Sequence, residues 1–252
     1  MDKASLSCYT QAPTMRTRAL RSFVVAAAFL AACSPPQYTT YKSVSSDFSV
    51  AVPWGWNVIA EADHDAFSEV KFIGPFDADF YLGAPSLSVR WYKRYRAHAL
   101  RDGSLEMYSS ADDFIAQLMR QVYGKDSVLL GAGKVMDKHV VLDGKQGIPE
   151  VTLPESGLQA KYFAVLSPAP AAAGTLGAVK DVDGNWHNMR YHEYAIVPMD
   201  GGFYVLCYPA TQIGHDKAIK FFNNLAASFH PYTAGPGGPK ITIRRSPVPE
   251  KR

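Results

Sequence analysis

Cysteine is scarce in this chain. Of its 252 residues only Cys8, Cys33 and Cys207 carry a thiol, and only Cys207 lies beyond position 33. A disulfide-stapled scaffold is excluded for anything folded after residue 33. No C-x-x-C, H-E-x-x-H, G-x-S-x-G or phosphate-loop pattern occurs, so the common zinc, serine-nucleophile and nucleotide signatures are missing. No apolar run reaches the roughly 20 residues that a membrane-crossing helix needs. Nor is there a surplus of charge to speak of. The chain holds 26 basic and 23 acidic residues. Residues 1–32 take away four bases (Lys3, Arg16, Arg18, Arg21) and one acid (Asp2), leaving 22 of each. From Thr233 onward Lys240, Arg244, Arg245, Lys251 and Arg252 face only Glu250, so the central body is about four charges negative. Such a body lacks the clustered basic face that nucleic-acid binding requires.

What is present starts near the N-terminus. Arg16, Arg18 and Arg21 precede the apolar run 23–30, which ends in Leu30-Ala31-Ala32-Cys33. The run is too short to span a bilayer core of about 30 Å. Small residues at Ala31 and Ala32 let a peptidase reach the extended chain, and Cys33 offers a thiol for a thioether-linked diacylglycerol. Ser34-Pro35-Pro36-Gln37 follows as a polar tether. The segment resembles the lipobox of signal peptidase II substrates. That resemblance implies a lipoprotein whose mature chain begins at Cys33, with covalent lipid there as its one attached group. Residues 1–14 fit a signal poorly, and Met15 is the expected start. Ser34 is not the aspartate associated with inner-membrane retention, so the expected place is the periplasmic face of the outer membrane.

Four regions follow: a signal at 1–32, a tether at 33–41, one domain at 42–232, and a disordered basic Gly/Pro tail at 233–252. Alternation predicts strands at 48–52 (Phe48, Val50 and Val52 on one side), 69–73, 87–92, 135–142, 148–153 and 161–166. A hairpin is predicted from 191–197 through Asp200-Gly201 into 203–208, Asp-Gly supplying positive φ. Ser110 with Asp113 reads as a helix start. Phe114, Ile115, Leu118, Met119 and Val122 form its apolar stripe, and Gly124 its stop. A second helix is expected from Gly214 to Phe229, with Ala218, Ile219, Phe222, Leu225, Ala226 and Phe229 on one side. The order strands, helix, strands, helix favours an α+β sandwich with a mainly antiparallel sheet, a helix stripe lying on a sheet face.

Asp47 to Trp56, with Pro53-Trp54-Gly55-Trp56, resembles the opening strand and P-x-G-W turn of PsbP-like proteins. Phe72-Ile73-Gly74-Pro75, the closing strand at 203–208 and Ala227-Ser228-Phe229 are similar to that family in the same order. The resemblance implies an α/β/α sandwich and no particular ligand, since one fold hosts many functions. The segments 92–108 and 167–177 are longer than the family needs, and such insertions are where a private function can sit.

Chemistry-bearing candidates are few. Asp181-Val182-Asp183-Gly184-Asn185 has part of a calcium-loop pattern but lacks the glutamate at the twelfth position; a turn explains it equally. His187 and His192, with Glu193, lie an odd distance apart in a strand and so on opposite faces. His98, His139, His215 and His230 are expected to face solvent. Asp77 and Asp79 share a side of an extended segment. Cys207 is expected to be a buried apolar residue. No catalytic residue and no metal site is assigned. The candidate binding surface is aromatic and basic: Trp54, Trp56, Tyr81, Arg90, Tyr92 and Tyr95, since aromatics and arginine are enriched at binding hot spots. The expected function is a non-catalytic binding or assembly module held at the membrane by its lipid, with another envelope protein or polymer as partner. An envelope hydrolase built from loop carboxylates and histidines, and a small-ligand carrier, are the alternatives.

Overall fold

The computed structural model describes residues 37–60, 66–76, 84–99, 103–123, 128–131 and 148–241. The elements in chain order are β1 (Tyr38–Lys42), β2 (Phe48–Pro53), β3 (Asn57–Ala60), β4 (Phe67–Ile73), β5 (Ser86–Lys93), β6 (His98–Ala99), β7 (Leu105–Glu106), α1 (Ala111–Leu118), β8 (Val128–Gly131), β9 (Glu150–Thr152), β10 (Gln159–Pro170), β11 (Val179–Lys180), β12 (Trp186–Met199), β13 (Gly202–Tyr208), α2 (His215–Ser228) and β14 (His230–Pro231). A π-helical turn, Met119–Tyr123, continues α1.

The main sheet runs β3-β4-β5-β13-β12-β10-β8, with β9 and β11 appended. A small sheet β1-β2-β14 and a ribbon β6-β7 accompany it. Every pairing is antiparallel. The chain is therefore an α+β protein with an antiparallel central sheet.

Period-two alternation decides which residue faces which layer. Val70, Phe72, Leu87, Val89, Trp91, Ala195, Val197, Tyr204 and Leu206 point to one side, where they pack with β2 and with Ala218, Phe222, Leu225 and Phe229 around α2. Tyr92, Phe163, Val165, Tyr194, Ile196, Phe203, Val205 and Cys207 point to the other, under Phe114 and Ile115 of α1. One helix on each face gives the three layers.

Both helices start as expected. Ser110 is the N-cap of α1, and its hydroxyl accepts the Asp113 N–H at 3.1 Å. Gly214 and Phe229 bound α2. In the hairpin between β12 and β13 only Gly201 has positive φ, +82°. Asp200 does not, so the turn is not the doubly positive form.

Several expectations need correction. Val122 is 49% exposed and lies in the π turn. The extra residue per turn rotates it away from the stripe and turns Tyr123 inward instead. The strand expected at 161–166 extends to Pro170 despite two prolines. Ala171 N–H bonds to Trp186 O, so odd positions address β12. Pro168 and Pro170 then turn their missing N–H toward the other edge, beyond the end of β8 at Leu166. The strand expected at 148–153 shrinks to β9, with Ile148 and Leu153 buried at its ends. The strand expected at 135–142 lies outside the described residues.

The folded unit is also wider than 42–232. Residues 38–41, read as tether, belong to β1 (Tyr38–Lys42). Residues 233–241, read as disordered tail, close back on the body. Ile241 N–H bonds to Tyr232 O, and Gly235 N–H to the Tyr204 hydroxyl at 3.1 Å. A Cβ on Gly235 would lie 2.1 Å from the Trp91 indole, so the segment rests flat on that ring. Asp47, 1% exposed, ties these parts together. It accepts from Ser43, Ser45 and the Tyr204 hydroxyl, and its carbonyl accepts the Tyr232 N–H.

Candidate functional site

Cross-strand register builds the site on the α1 face. Phe67 pairs with Tyr92, and Glu69 with Arg90. Their neighbours Val70 and Val89 face α2, so alternation turns these four toward α1. After β5 the chain turns at Tyr95, φ +56°. Arg94 fixes that turn, its N–H bonding to Gly201 O and its Nη2 to Met199 O at 2.6 Å. Tyr95 N–H bonds to Tyr108 O. Residues 94–99 and 103–108 thus form a strap carrying β6-β7, in which His98 stands opposite Glu106.

Sheet, strap and helix enclose a cavity of about 250 Å³. Its aromatic walls are Phe67, Tyr92, His98, Tyr108 and Phe114, with Leu118, Gln121 and Val122 at the helix side. His98 stacks on Phe67 at 4.7 Å, and Tyr92 meets Tyr108 edge-on at 5.3 Å. The polar part is Arg90, Glu69 and Glu106. Arg90 Nε donates to Glu69 Oε1 at 2.5 Å, and Lys71 Nζ lies 2.7 Å from Glu69 Oε2. The Tyr108 hydroxyl donates to Glu106 Oε2 at 2.6 Å, and His98 Nε2 lies 3.4 Å from the same oxygen.

These contacts set the protonation states. Burial pushes the Glu69 carboxyl up, but Arg90 and Lys71 outweigh it and hold it below its ordinary range. Burial opposes the Arg90 charge, yet the surrounding Tyr92, Cys207 and Glu69 raise its pKa. Burial pushes Tyr92 up to about 12. It also raises Tyr108, which is bonded to the Glu106 carboxylate. Burial lowers His98 against the pull of Glu106, so the imidazole is neutral near pH 7.

A second polar row continues along the same face. The Tyr123 hydroxyl contacts the Tyr194 hydroxyl and lies 2.7 Å from His192 Nδ1. Arg190 sits 5.0 Å over the Tyr123 ring. Burial first, then Arg190 and Arg90, lowers His192 to about 4. Burial pushes the Cys207 thiol up to about 11; it is a buried free thiol with the sheet around it, inert as a nucleophile at neutral pH.

The α2 face holds a buried ionic group around His215. His215 Nε2 lies 3.0 Å from Glu193 Oε1, and its Nδ1 3.0 Å from Asp216 Oδ1. The ring stacks on Tyr191 at 3.8 Å. Burial disfavours the imidazolium, but the two carboxylates outweigh it and raise the pKa. A shallow depression of about 260 Å³ between β9 and α2 is lined mainly by apolar groups, with Tyr162 bonded to Asn223 at its edge.

The expected binding residues do not form one surface. Arg90 and Tyr92 line the cavity, but Tyr92 is buried at 5%. Trp56 packs on Phe221 in the α2 layer. Trp54 is an exposed turn residue, and Tyr95 is exposed at the strap's turn. Tyr81 lies outside the described residues, as do Asp77, Asp79, His139, Arg101, and Leu30, Ala31, Ala32 and Cys33. The histidines expected in solvent are mostly enclosed: the His98 and His215 side chains are 7% and 8% exposed, and His230 is half-buried. His187 bonds to Asp181 at 2.6 Å, and Asp181 also accepts the Asp183 and Asn185 N–H groups. The loop closes on itself through that carboxylate. Among the described residues no three His, Cys, Asp or Glu side chains are arranged to hold a metal ion, and no helix is long and apolar enough to cross a membrane.

Sequence reasoning missed Phe67, Glu69, His98, Glu106, Tyr108 and Phe114 as one site. Its only signal was the excess length of 92–108.

No family model and no curated protein matches the chain. Similar solved structures include a Bacteroides thetaiotaomicron protein at 11% identity and TM-score 0.38, matched over 78% of this chain. This chain spans about half, 49%, of that protein's length. Cyanobacterial PsbP from Synechocystis is 15% identical with TM-score 0.40, covering 79% of this chain and 95% of that one. The Ran-binding protein Mog1p of Saccharomyces cerevisiae is 9% identical with TM-score 0.41, covering 77% and 95%. The α+β architecture stated above rests on the strand order and the two packed faces.

Proposed function

We propose that this chain is a PsbP-like envelope lipoprotein, acylated at Cys33, that acts as a non-catalytic binding or assembly module at a membrane surface. One observation carries the binding part of this reading. The cavity under α1 is walled by aromatics, and its charged groups are paired with one another: Glu69 with Arg90 and Lys71, Glu106 with Tyr108 and His98. Paired groups of this kind orient a ligand by hydrogen bonding. A lipid anchor would hold the cavity within a tether's length of other envelope components and raise its effective concentration for them. The partner is another envelope protein or polymer.

A hydrolase is the second reading, and one observation favours it. A neutral imidazole, His98, and a carboxylate, Glu106, do converge in the cleft. No serine, threonine or cysteine is among the residues lining it, so the nucleophile would be water or the Glu106 carboxylate itself. A carrier calls for an enclosed apolar cavity, which the Arg90–Glu69 floor does not offer.

Crosslinked capture of the full-length, lipidated protein from envelopes tests the module. Wild type should recover a specific component that a cavity-filling Leu118→Trp variant loses. Radiolabelled palmitate should enter wild type but not Cys33→Ala. Turnover of an envelope polymer, abolished by His98→Gln, would replace the binding reading with the hydrolase.

A further inference from the structure

We infer that the cavity under α1 takes one uncharged, hydroxyl-rich ring, a single saccharide unit or the end of a glycan chain. This rests on the cavity being the binding site. Size comes first. At about 250 Å³ the space falls below the ~300–1,000 Å³ typical of pockets for drug-sized ligands, so it holds one ring rather than several. Charge comes next. Two carboxylates, Glu69 and Glu106, stand against two cations, Arg90 and Lys71, all within one bonded group or at the cavity wall. A cationic ligand would meet Arg90 and an anionic one Glu106, while an uncharged ligand meets neither penalty.

Hydrogen-bonding capacity narrows the class further. Arginine carries five N–H donors. Arg90 gives Nε–H to Glu69 and one more to the Tyr92 hydroxyl, and its remaining N–H groups are the donors a ligand hydroxyl would use. Glu106 accepts Tyr108 and His98 on Oε2, and its second oxygen, Oε1, is the acceptor a ligand hydroxyl would use. Gln121 adds an amide on the helix side. A donor and an acceptor side by side suit vicinal hydroxyls, each of which both donates and accepts. A purely apolar ring would strip water from these groups and leave them unpaired. The walls suit the remaining part of a sugar: Phe67, Tyr92, Tyr108 and Phe114 offer ring faces and edges to its C–H surface.

The test uses the full-length lipidated protein in nanodiscs, with the His98 and Tyr108 ring resonances followed by NMR. The probes are glucose, galactose, mannose and N-acetylglucosamine, with tetramethylammonium, benzoate and indole as charged and apolar counterparts. At least one sugar should give saturable shifts with Kd of about 1–10 mM. Glu106→Gln should weaken that sugar about tenfold. Leu118→Trp should abolish it, and Lys180→Ala, on exposed β11, should leave it unchanged. Saturation by tetramethylammonium, benzoate or indole with none by the sugars would overturn the ligand class and leave the binding reading standing. No saturation by any probe, together with unchanged envelope capture by Leu118→Trp, would overturn both.

Discussion

The two faces of the central sheet carry different chemistry. The α2 face is a dense core: Phe72, Leu87, Tyr204, Leu206, Phe222, Leu225 and Phe229 are each essentially unexposed. A buried ionic group, Glu193–His215–Asp216, clamps the start of α2 to β12. Among the described residues the α1 face is covered by a short helix, a π turn and a strap. There the sheet keeps a row of polar side chains (Glu69, Arg90, Tyr194, His192) and a cavity beside it. One face spends its area on stability, and the other leaves the space that the proposed binding function would use. Binding sites commonly need such a concave, incompletely filled place.

The largest expected difference between the faces is in truncation of a core aromatic. Phe222→Ala removes a fully buried ring between α2 and the sheet and should cost about 3–5 kcal/mol. Leu118→Ala, on the half-buried edge of α1, should cost about 1–2 kcal/mol, because the side chain already borders the cavity. Urea denaturation of the two variants measures both. Equal costs would break the division.

Closure of the α2 side by the chain's end is the next effect. A chain stopped after Tyr232 loses the Gly235 bond to Tyr204 and the cover over Trp91. It should lose about 1–3 kcal/mol, and tryptophan emission should shift to the red as Trp91 meets water. Unchanged emission would show that the segment does not shield the ring.

The faces should also respond to pH with opposite signs. On the α2 face the folded pKa of His215 is raised, so the stabilisation is fully present below the ordinary value of 6.5. It is lost as pH rises through the raised folded value. On the α1 face His192, lowered to about 4, and His98, also lowered, bind fewer protons folded than unfolded. Their effect is destabilisation as pH falls from 6.5 toward 4, with none above. Thermal melts from pH 4 to 9 should show that His215→Phe flattens the alkaline arm and His192→Phe the acid arm. Reversed assignments would sink the contrast.

The smallest expected effect sharpens it. Tyr108→Phe removes one hydroxyl bonded to Glu106 and should cost about 0.5–1.5 kcal/mol. The His98 pKa, read by NMR, should change because Glu106 Oε2 then has the imidazole without the competing hydroxyl.

Local signals made much of the frame legible. Phe48, Val50 and Val52 alternate into one core as their period requires. Ser110 and Asp113 mark a helix start because the hydroxyl answers an orphan N–H. Gly201 marks a hairpin because the turn needs positive φ there. The site was far less legible. Glu69 and Arg90 are 21 positions apart, and only strand register sets one against the other. Trp54 and Trp56 looked like partners of Tyr92, yet Trp56 belongs to the opposite layer. His215 looked like a surface residue because Glu193, its buried partner, sits on another element.

Alternation, helix caps and turn residues depend on neighbours a few positions away, so both helices and the main strands β2, β4, β5, β10, β12 and β13 followed from the chain alone. Which acid meets which base, which histidine is enclosed, and where a strap leaves a space under a helix depend on pairs far apart in sequence. Those were decided when the sheet fixed its register, because a one-residue slip would send every one of these side chains to the other face.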